Sequence, residues 1–277
     1  FGGEIDNWTW PRHTGDFSIF RVYASPDQKP ARYSERNIPY QPRKVLNIST
    51  KGIDEGDFTM VIGYPGSTSR YATVAEIQQT QNIINPIIAN IRKVRRSIYQ
   101  QAMDNNEELR IKYASKQASL TNYWQYTLAQ NEGFGKNNLL TMREQMENDL
   151  IKWTHADSAR KHIAGNIAAL ATSYLVMEPL AHSITFYEET ILSSSDLITF
   201  AYNITDLIYM IEDQSEDAEA CELLKTEMKK LSDQFFHDFD RVTDLKMMQA
   251  MLSELLHAVP AELLPKKKKL LGEKYLD

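Results

Sequence analysis

Two hydrophobic rhythms divide the 277 residues of the chain. Up to about residue 75, apolar positions come in short runs with a period of two, the spacing that sends alternate side chains to opposite faces of a strand. FSIFRVY (17–23) sets Phe17, Ile19, Arg21 and Tyr23 on one face and Ser18, Phe20 and Val22 on the other. KVLNIS (44–49) and DFTMVIG (57–63) are runs of the same kind, and DEGD (54–57) and YPGS (64–67) supply the turn chemistry around them. Short strands at this spacing, with no helix between them, predict a piece of a barrel or sandwich.

Beyond residue 75 the period lengthens to three and four. Ile84, Ile87, Ile88, Ile91, Val94 and Ile98 form the stripe of an amphipathic helix, with Pro86 expected to kink it or mark an early turn. Leu120, Tyr123, Trp124 and Leu128 make a second stripe, with a stop expected at NEGFG (131–135). Leu139, Met142, Met146, Leu150 and Trp153 make a third. An apolar-rich helical stretch covers 156–191, with an interruption expected around Glu178 and Pro179. SSSD (193–196) has the oxygens that cap a following helix, because a serine or aspartate side chain can accept the first unpaired amides. The rest is amphipathic and helical to about Leu256, and Pro260 and Pro265 break the tail. The prediction is an α+β chain: β structure over 1–75, then an α-helical bundle over 76–277.

Composition changes this picture little. Hydrophobic residues are 42% and charged residues 25%, as in an ordinary globular protein. The net charge of −6 argues against a nucleic-acid surface. Two basic runs, IRKVRRS (91–97) and PKKKKLL (265–271), are expected to be solvated helix faces. In the first, the apolar stripe keeps its register and leaves the cations on its flank; in the second, Glu262 and Glu273 flank the lysines. The single cysteine, Cys221, excludes an internal disulfide and a cysteine-rich zinc site. No run of eighteen uncharged apolar residues occurs, so no membrane span is expected.

Candidate chemistry is concentrated at one end, in DNWTWPRHTGDFSIFRVY (6–23). This stretch, with GDFTMVIGYPGSTSRY (56–71), resembles the bacterial dipeptidyl-peptidase 7 and 11 family of serine exopeptidases in the chymotrypsin clan. The resemblance implies part of a chymotrypsin-like β-barrel followed by a large inserted helical domain that covers the cleft. It implies peptide substrates with a free N-terminus, a homodimer, a periplasmic or secreted location, and neither cofactor nor metal. Asp16 matches the triad aspartate, which orients the catalytic imidazole and stabilises the imidazolium that forms. Asn7 and Trp8 match residues that hold the substrate ammonium, through a carbonyl acceptor and a cation–π face.

The same resemblance places the triad histidine before Phe1 and the serine beyond Asp277, so this stretch alone is expected to be inactive. His13 then reads as a loop-stabilising histidine, Trp10 and Pro11 as loop packing, and Ser67 and Ser69 as turn residues. His155 and His162 are seven apart but lack the acidic companion of a zinc helix. A competing class is a non-enzymatic helical module that binds peptides or proteins; nothing in the helical part demands chemistry, and DNWTWPRHTGDF argues against it.

Overall fold

A computed structural model describes residues 7–9, 11, 13, 18–60, 63, 69–213 and 218–264. The chain divides into two compact units: Phe1–Asp6 with His13–Arg70, and Asn7–Arg12 with Tyr71–Asp277.

In the first unit the only regular pairing among the described residues is a short antiparallel ladder. Strand β1 (Tyr23–Ala24) pairs with β2 (Ile38–Pro39), with Tyr23 opposite Pro39 and Ala24 opposite Ile38. The turn at 54–57 forms as expected, with the Asp57 amide donating to the Asp54 carbonyl at 3.1 Å and Gly56 taking φ +93°. The expected strands at 18–22, 44–49 and 57–60 are irregular instead, and a chymotrypsin-like barrel is not present among the described residues. The physical reason is visible in the same side chains. Ile19, Phe20, Val22, Val45, Leu46, Ile48, Phe58 and Met60 are all exposed. A strand exists only as half of a ladder, and its apolar face stays inside only when a second layer covers it. The described residues supply neither.

The second unit is helical. Helix α1 (Val74–Gln79) starts on Thr73, whose hydroxyl accepts the Glu76 amide, and the Val74 amide donates to Glu147 at 2.8 Å. A wide π turn (Thr80–Ile84) leads into α2 (Asn85–Asn105). Pro86 explains the wide turn, because its ring lacks an N–H and crowds the preceding turn. The register slips to five residues there, with the Asn85 amide bonding the Thr80 carbonyl.

Asn106 connects α2 to α3 (Glu107–Lys136) and caps it, its side-chain oxygen accepting the Glu108 and Leu109 amides at 2.8 and 3.2 Å. Helix α3 runs through Gly133 and Gly135 and ends at Lys136, one residue past the expected stop at 131–135. Helices α4 (Leu139–His155), α5 (Lys161–Tyr187), α6 (Asp196–Asp213), α7 (Ala218–Asp238) and α8 (Arg241–Ala258) complete the unit. Helix α5 continues through Pro179, where an interruption was expected, and a second π turn (Glu188–Leu192) follows it.

The core lies where α2 and α3 meet α8 and the end of α5. Ile87, Ile91, Tyr99, Tyr113, Leu120, Phe186, Met247, Met251 and Leu255 are buried together, and Tyr99 stacks on Tyr113 at 4.9 Å. The first apolar stripe is thus core. The third is not: Met142, Met146, Leu150 and Trp153 on α4 are exposed. The predicted cap at 193–196 forms on Ser195, which accepts the Ile198 amide at 3.2 Å. Asp244 of α8 reinforces it, accepting the Ser195 hydroxyl at 3.0 Å and the Asp196 amide at 2.6 Å.

Two expectations about charge and hydropathy change. Helix 158–192 is long and apolar enough to cross a bilayer by length and composition, a property that a search for unbroken apolar runs misses because Ser, Thr, Asn and Gly are interleaved. Its last turns belong to the bundle instead, with Ser183, Thr185 and Phe186 buried. The cations of 91–97 are not all on a solvated flank either. Arg95 is 6% exposed, and both Arg92 and Arg95 close on Glu189 of the second π turn. Arg96 donates to Thr121 at 2.9 Å and lies 4.1 Å over the Trp124 ring. A buried cation needs a partner, and here the partner lies more than ninety residues away, beyond any local pattern.

Candidate functional site

Asn7 and Trp8, in the segment Asn7–Arg12, belong to the helical unit. Their side chains reach across 114 and 115 residues of sequence to the middle of α3. The Asn7 Nδ2 donates to Asn122 Oδ1 at 2.9 Å and to Gln125 Oε1 at 3.2 Å. The Trp8 Nε1 donates to the same Asn122 oxygen at 2.9 Å. Trp8 also meets Tyr126 edge to face, with ring centroids 4.9 Å apart, and Tyr126 lies 5.5 Å from Tyr123. Asn122 and Tyr126 are one turn apart on α3, so a single helix face receives both side chains.

The backbone at Trp8 has φ +59°, the left-handed region that a bulky side chain rarely enters. Such a conformation costs about 1–3 kcal/mol and persists only where its surroundings hold it. The two bonds onto Asn122 and the ring contact with Tyr126 are that support. Trp8 nevertheless stays 48% exposed. A strained, pinned and exposed tryptophan presents a ring face to solvent rather than to a core.

The chemistry gathered here is neutral and rich in acceptors. Two donations to α3 fix which end of the Asn7 amide is nitrogen, and so fix its carbonyl oxygen as the side-chain acceptor. Asn122 and Gln125 add amide oxygens, and Trp8, Tyr126 and Tyr123 add ring faces. Arg92 lies 4.2 Å over the Tyr123 ring, a cation already seated on one of these aromatics.

The platform under the site is stiff. The Trp124 Nε1 donates to the Ala89 carbonyl of α2 at 3.0 Å. Arg92 grips Glu189 with two bonds, at 2.9 and 2.7 Å. Arg95 donates to Glu189 at 3.1 Å and also to the Ser193 carbonyl. Burial pushes the Arg95 guanidinium down from its ordinary value, and the Glu189 carboxylate opposes that shift.

Of the residues singled out from sequence, Asn7 and Trp8 come together on α3. Asp16 lies outside the described residues, as do Trp10, the YPGS turn and the lysines of 265–271. His13 is exposed and falls in the first unit. Asn122, Gln125 and Tyr126 were not anticipated. Their signal was present but faint: polar residues interrupting the stripe of Leu120, Tyr123, Trp124 and Leu128. Among the described residues no three His, Cys, Asp or Glu side chains gather as a metal site.

This geometry acquires a kinship when the chain is compared with known proteins. The peptidase S46 family matches residues 1–277. The chain belongs to that family. This S46 chain is 33% identical over 265 residues to an Asp/Glu-specific dipeptidyl-peptidase of Flavobacterium psychrophilum, covering 96% of the chain and 37% of that relative. It is 35% identical over 271 residues to a dipeptidyl-peptidase 7 of Phocaeicola vulgatus, covering 96% of the chain and 36% of that relative. The crystal structure of Porphyromonas endodontalis DPP11 in complex with the dipeptide Arg-Glu superposes with a TM-score of 0.68 at 26% identity, covering 94% of the S46 chain and 37% of the DPP11 chain. The S46 chain therefore spans a little over a third of the length of these relatives.

Proposed function

We propose that the protein is a serine dipeptidyl-peptidase, releasing dipeptides from the free N-terminus of peptides. In this reading Asn7 and Trp8, seated on Asn122, Gln125 and Tyr126, anchor the substrate ammonium. The observation that carries it is the pinned left-handed Trp8, which presents an aromatic face beside amide oxygens. A primary ammonium has three donors and no acceptor, so amide oxygens and ring faces are the partners it requires. Asp16 is the triad aspartate in this reading, orienting an imidazole supplied from outside residues 1–277, as is the serine. The isolated chain is then silent. The protein acts as a homodimer in the periplasm or outside the cell.

Support also comes from the relatives. Identity to an Asp/Glu-specific enzyme and to a dipeptidyl-peptidase 7 is nearly equal, 33% and 35%. That is the expectation if this stretch supplies an end-group anchor common to both and leaves side-chain preference to the remainder. In the whole protein, Asp16→Asn should keep the fold and cut turnover by orders of magnitude, since the imidazole loses its correct tautomer. Trp8→Ala should weaken inhibition by a free dipeptide much more than by its N-acetyl form. Turnover untouched by Asp16→Asn would remove it from the triad, and equal losses with both inhibitors would remove Trp8 from the anchor.

A further inference from the structure

Behind the anchor lies a file of neutral polar side chains that the chemistry above does not require. It begins with Pro86. In the π turn the Asn85 amide bonds the Thr80 carbonyl, and Pro86 has no N–H, so the Gln81 carbonyl lacks both backbone donors that would normally follow it. The Asn131 Nδ2 fills that gap at 3.0 Å. The Asn131 oxygen accepts from Asn85 Nδ2 at 2.7 Å, and the same nitrogen donates to Gln130 Oε1 at 2.9 Å. The Gln130 Nε2 then donates to the Tyr126 hydroxyl oxygen at 2.9 Å. Tyr126 ends the file against Trp8.

Each amide in this file has a set direction of donation. Asn85 is 4% exposed, and a buried amide is costly unless its atoms are paired. Apolar side chains would pack α2 on α3 without that cost. A fully connected polar file instead fixes rotamers, because each amide can satisfy its neighbours in one orientation only. Its free end is the ring that supports the strained tryptophan.

We infer that Gln130 and Asn85 are positioning residues for the anchor: they lock the Tyr126 ring and, through its edge, the Trp8 indole. The inference rests on the reading of Asn7 and Trp8 as the ammonium anchor. Neither Gln130 nor Asn85 touches substrate in this scheme.

Tyr126→Phe and Gln130→Leu sever the same bond from opposite ends and can be made in the whole protein. Each should raise KM for a free-ended dipeptide reporter about 3–10-fold, the span of one hydrogen bond, with kcat within about twofold. The double variant should be no worse than the worse single one, because only one link is being removed. A merely structural role would lower the melting temperature and the active fraction, and hence kcat, while leaving KM in place. Tyr126→Phe keeps the ring, so it remains informative if Gln130→Leu folds poorly. Should both variants leave KM within twofold while Trp8→Ala still raises it, the positioning role is overturned and the anchor stands. Should Trp8→Ala also leave KM unchanged, the anchor reading falls first and the file loses its purpose.

Discussion

Asn122→Ala is the sharpest single test of the anchor, because one oxygen serves two donors. The substitution strands Trp8 Nε1 and removes the Asn122 acceptor of Asn7 Nδ2, which keeps Gln125 at 3.2 Å. Each lost hydrogen bond contributes about 0.5–1.5 kcal/mol net. Together they oppose a left-handed Trp8 that costs about 1–3 kcal/mol, so the strain and its restraint are of the same size. Removing both bonds therefore shifts the anchor away from its binding form by about 2 kcal/mol, or roughly 30-fold in an equilibrium constant. The assay is competitive inhibition of the whole protein by a free dipeptide and by its N-acetyl form. The free dipeptide should weaken about 30-fold and the acetylated one by less than about threefold, since the latter has no ammonium to lose. The melting temperature should hardly move, because Asn122 is exposed. Equal weakening of both inhibitors, or a change below about threefold for the free one, would refute the reasoning.

Three further predictions concern stability. Glu189→Gln leaves the Arg92 and Arg95 guanidiniums facing each other without their carboxylate, and should cost about 3–5 kcal/mol in chemical denaturation. A loss below about 1 kcal/mol would mean that these cations are solvated after all. Asp244→Ala removes the acceptor for the Ser195 hydroxyl and the Asp196 amide, and should destabilise by about 1–3 kcal/mol. Burial raises the Asp244 carboxyl above its ordinary value of 3.8, so the folded state holds that proton more tightly than the unfolded chain. Its titration therefore favours the fold most fully below 3.8 and less as pH rises through the folded value. Against Asp244→Asn, the native chain should gain relative stability on acidification, and parallel stability–pH curves for the two would overturn this.

How much of this was legible beforehand depended on whether the partner of each residue lay close in sequence. The stripe from Ile87 to Ile98 announced its helix because a helix satisfies its own backbone, and the cap at Ser195 is set by residues within three positions. The alternation over Ser18 to Val22 was just as regular but did not become a strand, because a strand borrows its hydrogen bonds from elsewhere. Asn7 and Trp8 stood out through a motif. Asn122 did not, since its meaning comes from contacts 114 and 115 residues away. The same holds for Glu189, an ordinary acid in sequence and the hub of two arginines in space. The glycines of NEGFG were a local signal, like the Ser195 cap, and α3 ends at Lys136, one residue beyond Gly135.

The π turn at 80–84 also bears on how this segment tolerates changes in length. A π turn is an α-helix holding one surplus residue, so deleting a single position there would let an unbroken α register re-form. The five residues of the π turn sweep roughly the angle that four α residues do, so the segment before such a deletion would keep its facing, with Val74 still toward Glu147. A deletion in the regular turns of α1 or α2, where no surplus residue exists, would instead rotate that segment by about 100° about its axis. A variant shortened there would appear well folded by circular dichroism and still have lost the alignment between α1 and the rest of the bundle.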